Sequence, residues 1–339
     1  MNSSIRKLTE AAILTSVFIV ITLFALSTGI GYGIYLDFGV PIVFALIYFR
    51  CDFKYTLLSG ISSIAIIMLV LGNFITAILI SQSFLLGIIC GYLLCLNSGI
   101  FDDLFLGSIG GVIFMVLIDI YARNLIGYSF MEEFQGYIDF FKNPPTYLLT
   151  YLPFIKHINF EILYYSFIAI FPFGMVFSIY FISLMFGKKL RLLKENEKRK
   201  YFMMRSIRNL GSFMTMCNKN FYLAIGYILI FNLLGLLNIK LSVVYIKTIG
   251  TCIEYLCYYF VIRDCYMTIG NYINIKYKKK YLSIIYMIAS LVLLFKMFLI
   301  TSTVFVITAI IMDKKIQLRL RQNNVVESHT DKLIETYKI

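Results

Sequence analysis

The sequence has few charged residues, only two histidines and no tryptophan. Charged residues make up 14% of the chain and hydrophobic residues 60%, whereas soluble domains carry about 25% charged and about 45–50% apolar residues. This composition excludes a soluble enzyme, a disordered chain and a secreted disulfide scaffold. Because the apolar residues form long runs with almost no charge, the sequence predicts an all-α, polytopic transmembrane helical bundle in the cell membrane. The lipid bilayer is therefore its first predicted partner.

The shortage of histidine also bears on cofactors. With two histidines and seven cysteines that include no C-x-x-C pair, the chain has no pattern for a structural zinc site, which needs several ligands in a fixed geometry. We therefore expect no metal and no other cofactor, and we expect free, buried thiols. The 26 tyrosines are expected to supply the aromatic belt at the membrane interface, where tryptophan is usually enriched.

Motifs for catalysis and for nucleotide binding are missing as well. There is no G-x-x-x-x-G-K-[ST] loop, and no nucleophile–base pair or carboxylate dyad is recognisable. The GIGYG stretch at 29–33 joins two apolar runs without a preceding strand, so it does not predict a dinucleotide site. The sequence therefore does not predict an enzyme, and active transport would require a motor on another chain.

About ten apolar runs are long enough to form membrane helices. A bilayer core of about 30 Å needs about 20 helical residues, and fewer where neighbours bury the helix ends. Eight or nine spans are alternatives. The predicted spans are residues 11–30, 36–49, 55–71, 74–96, 104–122, 161–186, 221–238, 247–262, 281–295 and 297–312.

The last apolar stretch, residues 281–312, is predicted to form two helices. As one helix it would be about 48 Å long at about 1.5 Å per residue, which exceeds the apolar core of the bilayer. Lys296 also lies in its middle, where an ammonium group is costly. We therefore expect a turn near Lys296.

The formal net charge of +13 is explained by topology, so it does not predict a nucleic-acid partner. With ten spans and a cytoplasmic N-terminus, 25 of the 31 lysine and arginine residues fall on the cytoplasmic side and 6 on the other side. The positive-inside rule describes this asymmetry. The sequence therefore predicts that both termini are cytoplasmic.

Composition divides the chain into four parts. Residues 1–186 are a predicted six-span membrane domain, and residues 221–312 are a C-terminal membrane domain of about four short spans. Between them, residues 187–220 mix leucine and methionine with lysine and arginine, which predicts a basic amphipathic cytoplasmic linker. Such a segment lies on anionic headgroups or, alternatively, docks a cytosolic partner. Residues 313–339 form a polar cytoplasmic tail.

Ionisable groups inside membrane spans are costly and are therefore functional candidates. Glu254 lies midway along one predicted span, and Asp119 lies late in another, four residues before Arg123, with which it can pair. A membrane-embedded enzyme, the weakest functional hypothesis, depends on these two carboxyl groups. Asp102 and Asp103 stand at a predicted helix start, where carboxylates cap exposed N–H groups.

The fourth predicted span carries polar side chains that could line a substrate cavity. Asn73, Thr76 and Gln82 lie in or beside it, and such groups either bind a ligand or bridge helices. Asp119, late in the next predicted span, is the fourth substrate-binding candidate. Glycines four residues apart let helix backbones approach closely, and we expect them to pack helices within the chain. These pairs are Gly87/Gly91 and Gly107/Gly111.

The opening residues carry a family resemblance. RKLTEAAILTSVFIVI at 6–21 and VPIVFALIYFRCDFKYTLLSGI at 40–61 resemble the YybS-like family of bacterial membrane proteins. In that family a charged lead-in starts the first span, and a proline-led second span ends in a short basic turn. Arg50 and Lys54 stand in that turn here. MDKKIQLRL at 312–320 is similar to the family's closing pattern.

This resemblance implies a role in transport. The first six spans of that family are similar to the substrate-capturing S components of energy-coupling-factor transporters. In those proteins a face of small residues on the first span contacts the transmembrane coupling subunit, and Ala12 and Ser16 match that pattern. The chain is thus expected to bind a small molecule and to work with a coupling-factor transmembrane subunit and ATPases. S components usually stop after six spans, whereas this chain continues to residue 339.

The alternative hypothesis is a non-transport membrane scaffold or sensor. In that case the same bundle recognises a lipid or envelope component, residues 187–220 and 313–339 relay to other proteins, and the chain self-associates. Glu254 and Lys296 are the intramembrane ionisable residues whose roles need to be tested under either hypothesis.

Overall fold

The computed structural model consists of helices joined by short connections over the residues that it describes. This confirms the predicted all-α class. The structure describes residues 3–29, 32–127, 129–142, 160–237, 244–278 and 280–336.

Twelve helices longer than one turn make up the described part of the chain. A helical turn, Tyr32–Ile34, and a π-helix, Tyr35–Gly39, precede the second of these helices, and a 3₁₀ turn, Gly211–Phe213, follows the seventh. The helices are α1 Ser3–Thr28, α2 Val40–Leu71, α3 Phe74–Cys95, α4 Ile100–Ile126, α5 Phe130–Lys142, α6 Phe160–Lys189, α7 Glu195–Leu210, α8 Asn218–Leu236, α9 Val244–Tyr277, α10 Lys280–Lys296, α11 Phe298–Ile316 and α12 Leu318–Thr336.

Six helical segments of the described chain are long and apolar enough to cross a membrane. The helix α10 is also apolar but has only 17 residues. The chain is therefore an integral membrane protein built as a helical bundle. The six segments are Ser4–Thr28, Tyr35–Leu71, Phe74–Cys95, Ile100–Leu125, Phe160–Lys189 and Asn218–Leu236.

The helix α2 is folded back on itself at Asp52, where the backbone leaves the helical region with φ 67° and ψ 173°. The ring of Phe84 lies 4.8 Å from the ring of Phe44, and a Cβ atom on Gly60 would come within 2.0 Å of the same ring. In a straight helix Phe44 and Gly60 would be about 24 Å apart. The predicted turn between spans 36–49 and 55–71 is thus confirmed.

A second reversal separates α10 from α11 at Met297. The rings of Tyr286 and Phe305, on the two sides of this break, are 6.3 Å apart. One continuous helix would hold these residues about 28 Å apart. The prediction of two helices that turn near Lys296 is confirmed.

The helices form two compact units. Unit 1 contains Met1–Leu96, Leu106–Lys194 and Leu241–Tyr255, and unit 2 contains Asn97–Phe105, Glu195–Lys240 and Leu256–Ile339. One division falls between Lys194 and Glu195, inside the predicted linker 187–220. The long helices α4 and α9, however, each contribute one end to either unit. The domains predicted from composition stay a prediction.

Close helix packing in unit 1 depends on the glycine pairs. A Cβ atom on Gly87 would lie 2.5 Å from the backbone oxygen of Pro41, so α3 can approach α2 only with glycine at this position. A Cβ atom on Gly111 would lie 2.9 Å from the ring of Pro172, at the contact of α4 with α6. The expectation that these pairs pack helices within the chain is confirmed.

Candidate functional site

The helix α1 has two different faces. One face packs against α2 and is buried, with Thr22 fully covered and Phe18 1% exposed. Ala12 and Ser16 lie on the other face and are exposed. The Ser16 hydroxyl donates to the carbonyl of Ala12 at 2.9 Å, so it needs no partner outside the helix. The structure therefore presents a smooth strip of small residues on the outside of unit 1.

The charged lead-in before this strip is fixed by ion pairs. Arg50 donates to both carboxylate oxygens of Glu10, at 2.6 and 2.8 Å, and Arg6 donates to the same carboxylate at 3.0 Å. Such forked guanidinium–carboxylate pairs fix orientation as well as distance. They hold the start of α1 against the reversal of α2.

Asp52, at the centre of that reversal, accepts hydrogen bonds from two lysines. Lys7 of α1 contacts one carboxylate oxygen, and Lys194 contacts the other at 3.1 Å. Ion pairs thus connect the two segments that carry the family resemblance, 6–21 and 40–61. Lys194 adds the last residue of unit 1 before α7 to this contact.

The polar residues predicted to line a substrate cavity differ in their surroundings. Asn73 caps α3, because its side-chain oxygen accepts from the backbone N–H groups of Ile75 at 2.9 Å and Thr76 at 3.3 Å. Thr76 is buried and Gln82, six residues further along α3, is half-buried. Asn73 therefore has a structural role, while Thr76 and Gln82 remain candidates.

Asp119 has a capping role too. Its carboxylate accepts from the Ser129 hydroxyl at 2.6 Å and from the Phe130 backbone N–H at 2.8 Å, which fixes the start of the surface helix α5. Arg123 is paired instead with Glu132 at 2.8 Å. The expected pair between Asp119 and Arg123 is replaced by these two contacts, because α5 returns close to the end of α4.

The two intramembrane ionisable candidates lie in different units. Glu254 is half-buried on α9, within the part of that helix that belongs to unit 1. Lys296 is exposed at the last position of α10, beside the reversal at Met297. Lys296 therefore lies at a turn between two helices, where a charged side chain is accommodated more easily than in the middle of a span.

Unit 2 contains a buried polar core that the sequence did not reveal. The ammonium group of Lys200 lies 2.6 Å from the carboxylate of Asp103, and both side chains are almost inaccessible to solvent. Asp102 accepts from the backbone N–H of Cys217 at 3.0 Å and from the Asn220 amide at 2.8 Å. Asp102 therefore caps α8, a different helix from the one that carries it.

A second buried ion pair lies in the same unit. The guanidinium group of Arg319 is 2.9 Å from Asp264 and stacks on the ring of Phe221 at 3.3 Å. The neighbouring Arg263 donates to the backbone oxygens of Met214 at 2.5 Å and Gly211 at 2.9 Å. Charged side chains thus hold the non-helical segment that leads from α7 to α8.

The residues of this second ion pair were not predicted from the sequence because both lie outside the predicted spans. Asp264 lies two positions beyond the predicted span 247–262, and Arg319 lies in the predicted polar tail, so each was expected to be solvated. Their pairing joins residues that are far apart in the chain. A helical periodicity of the tail, with Arg319, Gln322 and Val326 buried on one side, is the signal that could have indicated a packed helix.

Comparisons with known proteins add no assignment. The chain matches no protein-family model, no curated protein and no solved structure. Among the described residues, histidine, cysteine, aspartate and glutamate form no group of three that could hold a metal ion. The class that the fold defines is a helical integral membrane protein.

Proposed function

We propose that the chain is a substrate-binding transport component of the cell membrane that resembles the S components of energy-coupling-factor transporters. The observation that carries this proposal is the exposed strip of Ala12 and Ser16 on α1. A partner helix can approach closely where side chains are small, because dispersion contacts between backbones then become available. The strip is the surface that a transmembrane coupling subunit would contact.

The remainder of unit 1 supports this assignment of α1. The side of α1 that carries Ala11 and Phe18 already packs inside the unit, so a partner on the Ala12 side would not disturb the fold. The ion pairs of Glu10 and Asp52 hold α1 in place relative to α2. ATPases on other chains would supply the energy, since the sequence has no nucleotide-binding loop.

The substrate is a small molecule of undetermined chemistry. Thr76 and Gln82 are the substrate-binding candidates, because Asn73 and Asp119 are already used as helix caps. We expect Thr76→Val and Gln82→Met to weaken substrate binding without changing the assembly with the coupling subunit.

The proposal is tested by affinity purification of the tagged chain from native membranes in mild detergent. The double variant Ala12→Trp/Ser16→Trp should lose a co-purifying coupling subunit and its ATPases. Val17→Trp is the matched control, because Val17 is 51% exposed on the same helix but lies away from the strip. Retention of the partners by the double variant, or their loss in the control, would count against the proposal.

The alternative function, a membrane scaffold or sensor, is favoured by one feature of unit 2. The helices α7 and α12 pack together through polar contacts, which include Ser206 and His329 at 3.1 Å and Arg199 and Glu327 at 3.9 Å. Such a unit could relay a signal from a lipid or envelope component. A stable homo-oligomer without coupling-factor partners would support this alternative.

A further inference from the structure

Four buried side chains of unit 2 leave six polar atoms without a hydrogen-bond partner among the described residues. Asp264 and Thr268 lie on α9, and Arg319 and Gln322 lie on α12. None of the four is more than 2% exposed. The atoms are Asp264 Oδ2, Thr268 Oγ1, Arg319 Nε and Nη2, and Gln322 Oε1 and Nε2.

The charged groups among them attract one another without a formed hydrogen bond. Arg319 Nη2 lies 2.9 Å from Asp264 Oδ2, yet the two groups are not aligned for donation. A hydrogen bond weakens steeply when the donor points away from the acceptor. Both partners of the ion pair can therefore still form further hydrogen bonds.

The contact between Asp264 and Arg319 brings α9 and α12 together at this point. Thr268 follows Asp264 by one helical turn, and Gln322 follows Arg319 by three residues, so each pair shares a helix face. Both helices also contact the segment that connects α7 to α8. Asp264 binds the Met216 N–H at 3.4 Å, while Asn323, next to Gln322, lies 3.2 Å from the Thr215 hydroxyl.

Burying these six polar atoms without hydrogen bonds would be energetically costly. A buried polar group without a partner loses the hydrogen bonds that it makes to water in the unfolded chain, and more than about 90% of such groups in folded proteins have a partner. A buried water molecule makes about three hydrogen bonds to groups of this kind. Satisfying the six atoms with water removes most of that cost.

The charges of Asp264 and Arg319 indicate whether water or an ion would bind to these atoms. The carboxylate of Asp264 would repel an anion, and the guanidinium of Arg319 would repel a metal cation. The unpartnered set contains donors, Arg319 Nε and Nη2 and Gln322 Nε2, as well as acceptors, Asp264 Oδ2 and Gln322 Oε1. Water both donates and accepts, so it suits this mixed and nearly neutral set.

We propose that ordered water binds between α9 and α12 at Asp264, Thr268, Arg319 and Gln322. The water accepts hydrogen bonds from the arginine and the amide and donates to the carboxylate. Thr268 completes the site because its hydroxyl can act in both ways. The terminal helix is therefore joined to α9 through an internal hydrated contact.

Hydroxyl-radical labelling of the full chain tests this proposal, because radicals generated from internal water modify neighbouring side chains. Met216 is 1% exposed and its backbone contacts Asp264. Met175, 4% exposed in unit 1, is the control for a buried methionine. Oxidation of Met216 should be several-fold faster than that of Met175, and equal slow rates would overturn the proposal.

A variant shows whether these side chains hold the water. Thr268→Val/Gln322→Met removes the hydroxyl and the amide at similar volume, and Met216 oxidation should then fall to the rate of Met175. Fast oxidation that persists in the folded variant would indicate another route for water and would overturn the proposal. The comparison of the two methionines in the unchanged protein stands even if the variant does not fold.

Discussion

Asp52 combines two functions at one position of the fold. Its backbone, with φ 67° and ψ 173°, lies in a region that glycine adopts readily and other residues adopt at a cost of about 1–3 kcal/mol. Its carboxylate meanwhile contacts Lys7 and Lys194. The reversal of α2 therefore combines backbone strain with a charged contact that joins α1, α2 and Lys194.

Substitutions at Asp52 separate these two functions. Asp52→Gly relieves the strained backbone and loses the ion pairs, whereas Asp52→Ala keeps the strain and loses the ion pairs. Because the pairs are partly exposed, they contribute little. We expect the glycine variant to be more stable than the alanine variant by about 1–3 kcal/mol. Thermal unfolding in detergent measures this difference, and an alanine variant of equal or greater stability would contradict it.

The buried ion pair of unit 2 should behave differently from an exposed one. Arg319→Ala leaves the carboxylate of Asp264, which is 0% exposed, without its counter-charge, and breaking such a pair costs about 3–5 kcal/mol. Arg123→Ala, which breaks the exposed pair with Glu132, is the control and should change stability very little. Thermal unfolding compares the two variants. Similar losses in both would contradict the assignment of a buried charged core.

At the scale of whole helices, the side chain of Asp119 is expected to stabilise the start of α5. Asp119→Ala removes the acceptor for the Ser129 hydroxyl and the Phe130 N–H, and loss of a capping side chain costs about 0.5–2 kcal/mol. Hydrogen exchange should therefore accelerate within α5 and remain unchanged in α1 and α2. Asp139→Ala, on an exposed position of the same helix, should leave the exchange of α5 nearly unchanged. Faster exchange in both variants would show that the cap is not responsible.

Several elements could be predicted from sequence because a local physical rule fixes them. The reversal near Lys296 follows from the length of residues 281–312 against the thickness of the bilayer. The turn at Asp52 follows from charged residues placed between two apolar runs. The intramolecular role of Gly87 follows from its spacing to Gly91.

The polar core of unit 2 could not be predicted in this way. Its contacts join residues far apart in the chain, and two of them, Lys200 with Asp103 and Asn220 with Asp102, span more than 90 positions. A charged residue in a polar segment has the same local pattern whether it is solvated or buried in a pair. The partner, which decides between these outcomes, is set by the tertiary fold.

At the scale of the whole molecule, the charge distribution predicts which side of the membrane each segment faces. Unit 2 gathers residues from the segments 97–103, 195–220, 263–280 and 313–336, all of which the charge asymmetry assigns to the cytoplasmic side. If these segments lie on one side of the membrane, the positive-inside rule predicts that this side is the cytoplasm.

Protease protection of tagged chains tests this orientation. A tag after Ile339 should be cleaved in inside-out vesicles and protected in right-side-out vesicles. A tag inserted between residues 143 and 159 should show the opposite pattern, because this segment lies between the predicted spans 104–122 and 161–186 and is predicted to face the other side of the membrane. The reverse result for the two tags would invert the proposed topology.

The function proposed for the whole molecule depends on its partners. The small-residue strip at Ala12 and Ser16 is exposed, so it is available to a partner. The most direct test is native mass spectrometry of the chain extracted from its own membrane in mild detergent. We predict a complex with a coupling subunit and ATPases that carries a small soluble molecule. A chain that retains only phospholipid, alone or self-associated, would contradict the transport proposal.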